Sequence, residues 1–138
     1  MKRLLFLVPF FLLLSGSALS QNASYKVVFD LTSRDSLDQK AVMRWIKEIT
    51  SANPNAELEI VMYGKGYEMV MPEKTAVPAE LTDALKNPNV AFRVCRMALK
   101  SNKIDMTQIA PGVQTVPDGV YEIISKQHDG WGYIKVSH

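Results

Sequence analysis

The only cysteine of the chain, Cys95, lies in Val90-Ala-Phe-Arg-Val-Cys-Arg-Met-Ala-Leu99, where a short apolar run gives way to a basic, helix-forming one. Between Asp83 and Asp105 there is no acidic residue, whereas Lys86, Arg93, Arg96, Lys100 and Lys103 all fall there. Arg96, Lys100 and Lys103 have the spacing of one helix face. The sulfur sits at the start of that predicted helix, where free backbone N–H groups and the dipole favour an anion. Cations and a helix N-terminus are the features that make a thiolate, which is both a nucleophile and an acceptor of a second sulfur atom. Arg96 is the first candidate to stabilise such a thiolate and Arg93 the second. The plainer reading is a buried, inert thiol beside a solvated basic face, because cysteine is among the most buried residue types. A lone thiol cannot close an internal disulfide, so it is buried, bridged to another chain, or used chemically.

Other constellations are weaker. Without a Cys-x-x-Cys pair there is no dithiol exchange within one chain. His128 and His138 are the only histidines, which argues against a histidine metal site, and no metal or organic cofactor is expected. His128 is expected on the outer face of the last helix. Tyr63-Gly-Lys-Gly66 lacks the third glycine of a dinucleotide fingerprint and the length of a phosphate loop. It predicts a tight turn bringing backbone close to a neighbour or a small ligand, which makes Tyr63, Gly64 and Gly66 candidate binding residues. No Gly-x-Ser-x-Gly elbow occurs, and methionines such as Met62, Met69 and Met97 are expected to fill the core.

These residues need elements to hold them. Tyr25–Leu31 is β-branched and aromatic and predicts a strand. Ser36 and Gln39 have capping-box spacing, and Leu37, Ala41, Val42, Trp45, Ile46 and Ile49 recur at helical intervals, predicting a helix over 36–51 that stops at Asn53-Pro54. Glu57–Tyr63 alternates as a second strand. Pro78 opens a helix carrying Leu81, Ala84 and Leu85, which ends at Asn87-Pro88. Val90–Val94 predicts a third strand, Arg96–Lys103 a short helix and Gly112–Val116 a brief fourth strand. Asp118 caps a helix with Val120, Ile123, Ile124 and Gln127 on one side, closed by Gly130 before a last strand, Gly132–Val136. Strands alternating with helices predict a flavodoxin-like three-layer α/β/α domain around a mostly parallel five-stranded sheet. In such sheets ligands gather at the carboxyl ends of the strands, where Tyr63–Gly66 and Cys95 fall.

Met1-Lys-Arg3 followed by the almost purely apolar Leu4–Leu14 predicts a secretory signal. The stretch is shorter than the about 20 residues a membrane span requires. Ala18-Leu-Ser20 offers small residues for cleavage before Gln21, so residues 1–20 are the expected signal and 21–138 the domain, located in a periplasm or secreted. Removing 20 residues from 138 leaves 118, enough for one core. Lys2 and Arg3 leave with them, so the 16 basic residues fall to 14 against 14 acidic ones. That balance gives no argument for binding nucleic acid or an anionic membrane.

Val90-Ala-Phe-Arg-Val-Cys95 with Ala98-Leu99, then Pro111-Gly-Val-Gln-Thr-Val-Pro117 with Gly119-Val120, then Gln127 and Gly130-Trp-Gly-Tyr-Ile134, resemble the DsrE/DsrF-like family of sulfur-relay proteins. The Tyr63-Gly-Lys-Gly66 turn fits the same pattern, and the resemblance runs from Tyr25 to Val136. It implies a small five-stranded α/β fold assembled as a homo-oligomer, a trimer or hexamer. It further implies a cysteine after the third strand that carries a persulfide and exchanges sulfur with a donor or acceptor protein; here that residue is Cys95. The other reading open to the sequence is a non-catalytic oligomeric domain that binds a small ligand or partner around an inert Cys95.

Overall fold

The structure, a computed structural model, describes residues 24–137. The predicted signal, with its cleavage site, lies outside the described residues. Among the described residues no helix is long and apolar enough to cross a membrane.

Five parallel strands, Lys26–Leu31 (β1), Glu57–Met62 (β2), Val90–Cys95 (β3), Gln114–Val116 (β4) and Gly132–Lys135 (β5), stand in the order β4-β3-β2-β1-β5. The chain therefore steps outward from β1 to β4 and returns for β5 on the other side of β1. Strand register places Asp30 beside Val61 and Lys135, and Val61 beside Arg93. Four helices pack on the sheet: Ser36–Ala52 (α1), Pro78–Ala84 (α2), Arg96–Ser101 (α3) and Gly119–His128 (α4). The layered flavodoxin-like α/β arrangement expected from the sequence is the one observed.

Because successive strand residues point to opposite faces, each strand supplies both layers. Phe29, Leu31, Ile60, Met62, Phe92 and Val94 face one side and pack with Val42 and Ile46 of α1, Leu81 of α2 and Leu99 of α3. Large apolar side chains buried this completely contribute about 1.5–3 kcal/mol each, so this layer fixes the sheet. The opposite layer is thin. Val28, Val61 and Ile123 form its apolar cluster, with half-buried Tyr63 and Trp131 against it. The same face carries two buried carboxylates, Asp30 and Glu59.

Several local features differ from the sequence reading, each for a physical reason. The N-cap of α1 is Asp35, whose carboxylate accepts from Leu37 N at 2.8 Å. Gln39 does not close a capping box; its buried amide bridges Arg34 O and Ala76 N, tying the helix to the loop before α2. Leu37, placed on the apolar side of the helix by its spacing, is exposed. Helix α3 ends at Ser101 and Lys103 adopts φ 55°, so Lys103 leaves the face shared by Arg96 and Lys100. Two short 3₁₀ turns, Gly66–Val70 and Met106–Gln108, have no periodic signature long enough to predict. In α4 it is Gly119, Ile123 and Lys126 that face the sheet, while Val120, Ile124 and Gln127 are exposed. The charged sheet face beneath this helix rewards a glycine and a lysine, not a wide apolar stripe.

Candidate functional site

Cys95 is the last residue of β3 and the N-cap residue of α3, with φ −66° and ψ 118°. Its residue surface is 5% exposed. It lines an open cleft of about 420 Å³ at the carboxyl edge of the sheet, together with Tyr63, Gly64, Met97, Asn102, Asp118 and Val120. The first turn of α4 forms one wall. Asp118 caps that turn by accepting from Val120 N at 2.9 Å and Tyr121 N at 3.3 Å. Gly119 then packs against the Cys95 and Tyr63 side chains near their Cβ atoms. A Cβ there would stand 3.2 Å from Tyr63 Cβ and 3.3 Å from Cys95 Cβ, closer than side chains normally pack. A residue without a side chain is what lets α4 close down on Cys95 and Tyr63 together.

Of the residues singled out from the sequence, Tyr63 and Gly64 join Cys95 in the cleft. Gly64 makes the predicted turn with φ 58°. Gly66 is not in the cleft lining; it is pressed against the backbone of Leu31, so its part in the site is to hold the turn on β1. Arg93 points along the sheet face toward Glu59, with Nε 3.7 Å from the carboxylate. Arg96 is exposed, and its guanidinium donates to Thr115 Oγ1 at 3.4 Å. Both arginines thus have partners other than the sulfur. Met97 is 61% exposed at the cleft rim, unlike the fully buried Met62 and Met69. His128 is exposed, as its helix position predicts.

Two polar clusters on this face escaped the sequence reading. In the first, Asp30 accepts from Tyr133 Oη at 2.7 Å and Lys135 Nζ at 3.1 Å. Burial, reinforced by the Asp30 charge, pushes the Tyr63 phenol up to about 12. The hydrogen bond to Asp30, with burial, pushes Tyr133 up to about 12. In the second, Glu59 Oε2 meets Lys126 Nζ of α4 at 2.9 Å, while Oε1 is buried without a hydrogen-bond partner. The available signal was a charge inside each of two strands that a parallel sheet would otherwise fill with apolar residues.

Burial raises the Glu59 carboxyl above its ordinary 4.5, with Lys126 opposing. A carboxyl whose folded pKa is raised favours the folded state when protonated, so this stabilisation is present at low pH and declines as pH rises through the folded value. Glu59→Gln should therefore match or exceed the wild type in urea unfolding at about pH 8 and show no gain at about pH 4.5. Lys126→Met, which removes the nearer of the two cations and leaves only Arg93 at 3.7 Å, should cost about 3 kcal/mol at the higher pH. A Glu59→Gln protein clearly weaker than wild type at high pH would show instead that the ionised pair is a net stabiliser.

The comparisons with known proteins bear on this geometry. No curated protein sequence matches the chain. Among solved structures, the chain is similar to the protein of unknown function MTH1491 from Methanobacterium thermoautotrophicum. The TM-score is 0.75 and the identity 22%, over 81% of this chain and 99% of that one. At that identity the likeness speaks for the fold. The profile of the DsrE/DsrF-like family matches residues 26–136, a span that takes in every strand and helix described above. The chain belongs to the DsrE/DsrF-like family.

Proposed function

We propose that this protein is an exported sulfur carrier that accepts sulfane sulfur on Cys95 as a persulfide and passes it to an acceptor thiol. The observation that carries this reading is the position of the sole thiol. It ends β3, lies under the first turn of α4 and lines an open cleft at the sheet edge where α/β domains keep their ligands. The family is generally linked to sulfur relay, which supports the same chemistry. In the step envisaged, the Cys95 thiolate attacks the outer sulfur of a donor persulfide. The donor S–S bond breaks, its thiolate leaves with the electron pair, and Cys95 gains one sulfur. An acceptor thiolate repeats the exchange, so no net oxidation and no cofactor is needed. Neither Arg96, which donates to Thr115, nor Arg93, which is paired with Glu59, touches the sulfur.

The apolar Leu4–Leu14 and the Ala18-Leu-Ser20 site support export with a mature N-terminus at Gln21. Intact-mass spectrometry of mature protein from the native host tests both claims. The mass should correspond to a chain beginning at Gln21, and incubation with polysulfide should add about 32 Da that reductant removes. Protein that takes up no sulfur while folded would sink the carrier reading. The low exposure of Cys95 favours a second reading, a binding domain around an inert thiol, which predicts that outcome.

A further inference from the structure

We propose that Asp30 is a positioning residue for the thiol site: from the β1–β5 junction it holds the Lys135 ammonium over the Tyr63 ring, and that ring, with Gly119, sets how much of Cys95 the cleft presents. The inference deepens the sulfur-carrier reading and rests on it for its biological meaning, although access to the thiol is measured without any sulfur chemistry.

Asp30 interrupts an otherwise apolar strand, Val27–Leu31, and is 5% exposed. A carboxylate buried there is costly unless it is fully partnered, and an apolar residue would fill the position more cheaply. Its partners come from the far end of the chain. Tyr133 Oη and Lys135 Nζ both bond to it, and Lys135 Nζ also donates to Thr32 Oγ1 at 3.1 Å. The Lys135 ammonium stands 5.8 Å from the centroid of the Tyr63 ring and so bridges Asp30 to that ring. Asp30, Thr32, Tyr133 and Lys135 thus form one hydrogen-bonded group, with the Tyr63 ring against its ammonium. It occupies the point where the strand order reverses, the usual place for chemistry in a parallel sheet.

Tyr63 links this group to the sulfur. One edge of the ring meets Gly119, and Gly119 meets Cys95 Cβ. Tyr63 is therefore a wall of the cleft whose ring is backed by the Lys135 ammonium that Asp30 holds. Cys95 is already nearly covered, so a loosened wall exposes it further.

The test is the rate at which iodoacetamide alkylates Cys95 in the folded protein. Lys135→Met, which removes the ammonium that Asp30 holds over the Tyr63 ring, should react about twofold to fivefold faster, the change in a local opening that one lost cation–ring contact gives. Asp30→Asn should do the same, and the double variant should be no faster than the faster single, because both cut one tether. Phenol absorbance supplies a readout that mere packing would not move: in Asp30→Asn the two late-titrating tyrosines should ionise at lower pH. Native-like circular dichroism with unchanged rates in both single variants overturns the inference, as does acceleration that adds in the double variant. Should wild-type Cys95 resist alkylation, the inference requires it to become reactive in Lys135→Met, and continued resistance overturns it. Failure of the polysulfide mass gain, with rates responding as expected, removes the carrier reading and leaves the tether standing.

Discussion

Cys95→Ser is expected to abolish transfer of sulfur to an acceptor thiol, with a loss of at least about 100-fold, because a hydroxyl is neither a thiolate at neutral pH nor able to carry sulfane sulfur. The position is buried, so the variant has a structural cost that must be separated from the chemical one. A hydroxyl placed there without a partner costs about 1–3 kcal/mol. Cys95→Ala removes the sulfur without adding a polar group, and serves as the folding control. Both variants should lose transfer equally while differing in stability. The binding-domain reading makes the opposite statement, that Cys95→Ala retains full function. Transfer measured with a labelled donor and a separate acceptor protein decides between them. Persulfide formation alone does not, since any exposed thiolate picks up sulfur.

How far the site was legible in the sequence follows from which residues act locally. The run Val90–Cys95 and the basic stretch behind it mark a strand end and a helix start by composition, and the thiol sits at that junction. Tyr63-Gly-Lys-Gly66 announced its turn in the same way, through the positive φ that Gly64 adopts. Asp118 announced its cap. What the sequence reading could not reach were relations between distant elements. Asp30 and Lys135 are 105 positions apart, and only the return of β5 beside β1 makes them neighbours. The apolar positions of α4 suggested a stripe of Val120, Ile123 and Ile124, yet the sheet beneath offers Glu59 and Asp30 as well as Val28 and Val61. The helix accordingly turns Gly119, Ile123 and Lys126 inward. Arg93 illustrates the same limit: its nearness in sequence to Cys95 suggested a thiolate partner, but two residues along a strand carry its reach back to Glu59.

Gly66→Ala is expected to destabilise the protein by at least about 3 kcal/mol, among the larger single-residue effects, and to lower the unfolding midpoint by roughly 10 °C or more. The cause is contact, not backbone strain. A Cβ on Gly66 would overlap the carbonyl oxygen of Leu31, and main chain at the end of a central strand cannot step aside as a flexible side chain would. Relief requires the turn after β2 to lift away from β1, which breaks the approach that brings Tyr63 N to Leu31 O and Lys65 N to Thr32 O. Gly64→Ala provides the contrast. There the added carbon would sit 3.1 Å from Thr32 O and the residue would keep φ 58°, a left-handed conformation costing about 1–2 kcal/mol for alanine. Thermal unfolding of both variants should place Gly66→Ala well below Gly64→Ala. The reverse order would mean that the turn yields easily at Gly66 and that its hold on β1 is loose. Because the same turn carries Tyr63 into the cleft, a lifted turn should also speed alkylation of Cys95 in whatever Gly66→Ala protein still folds.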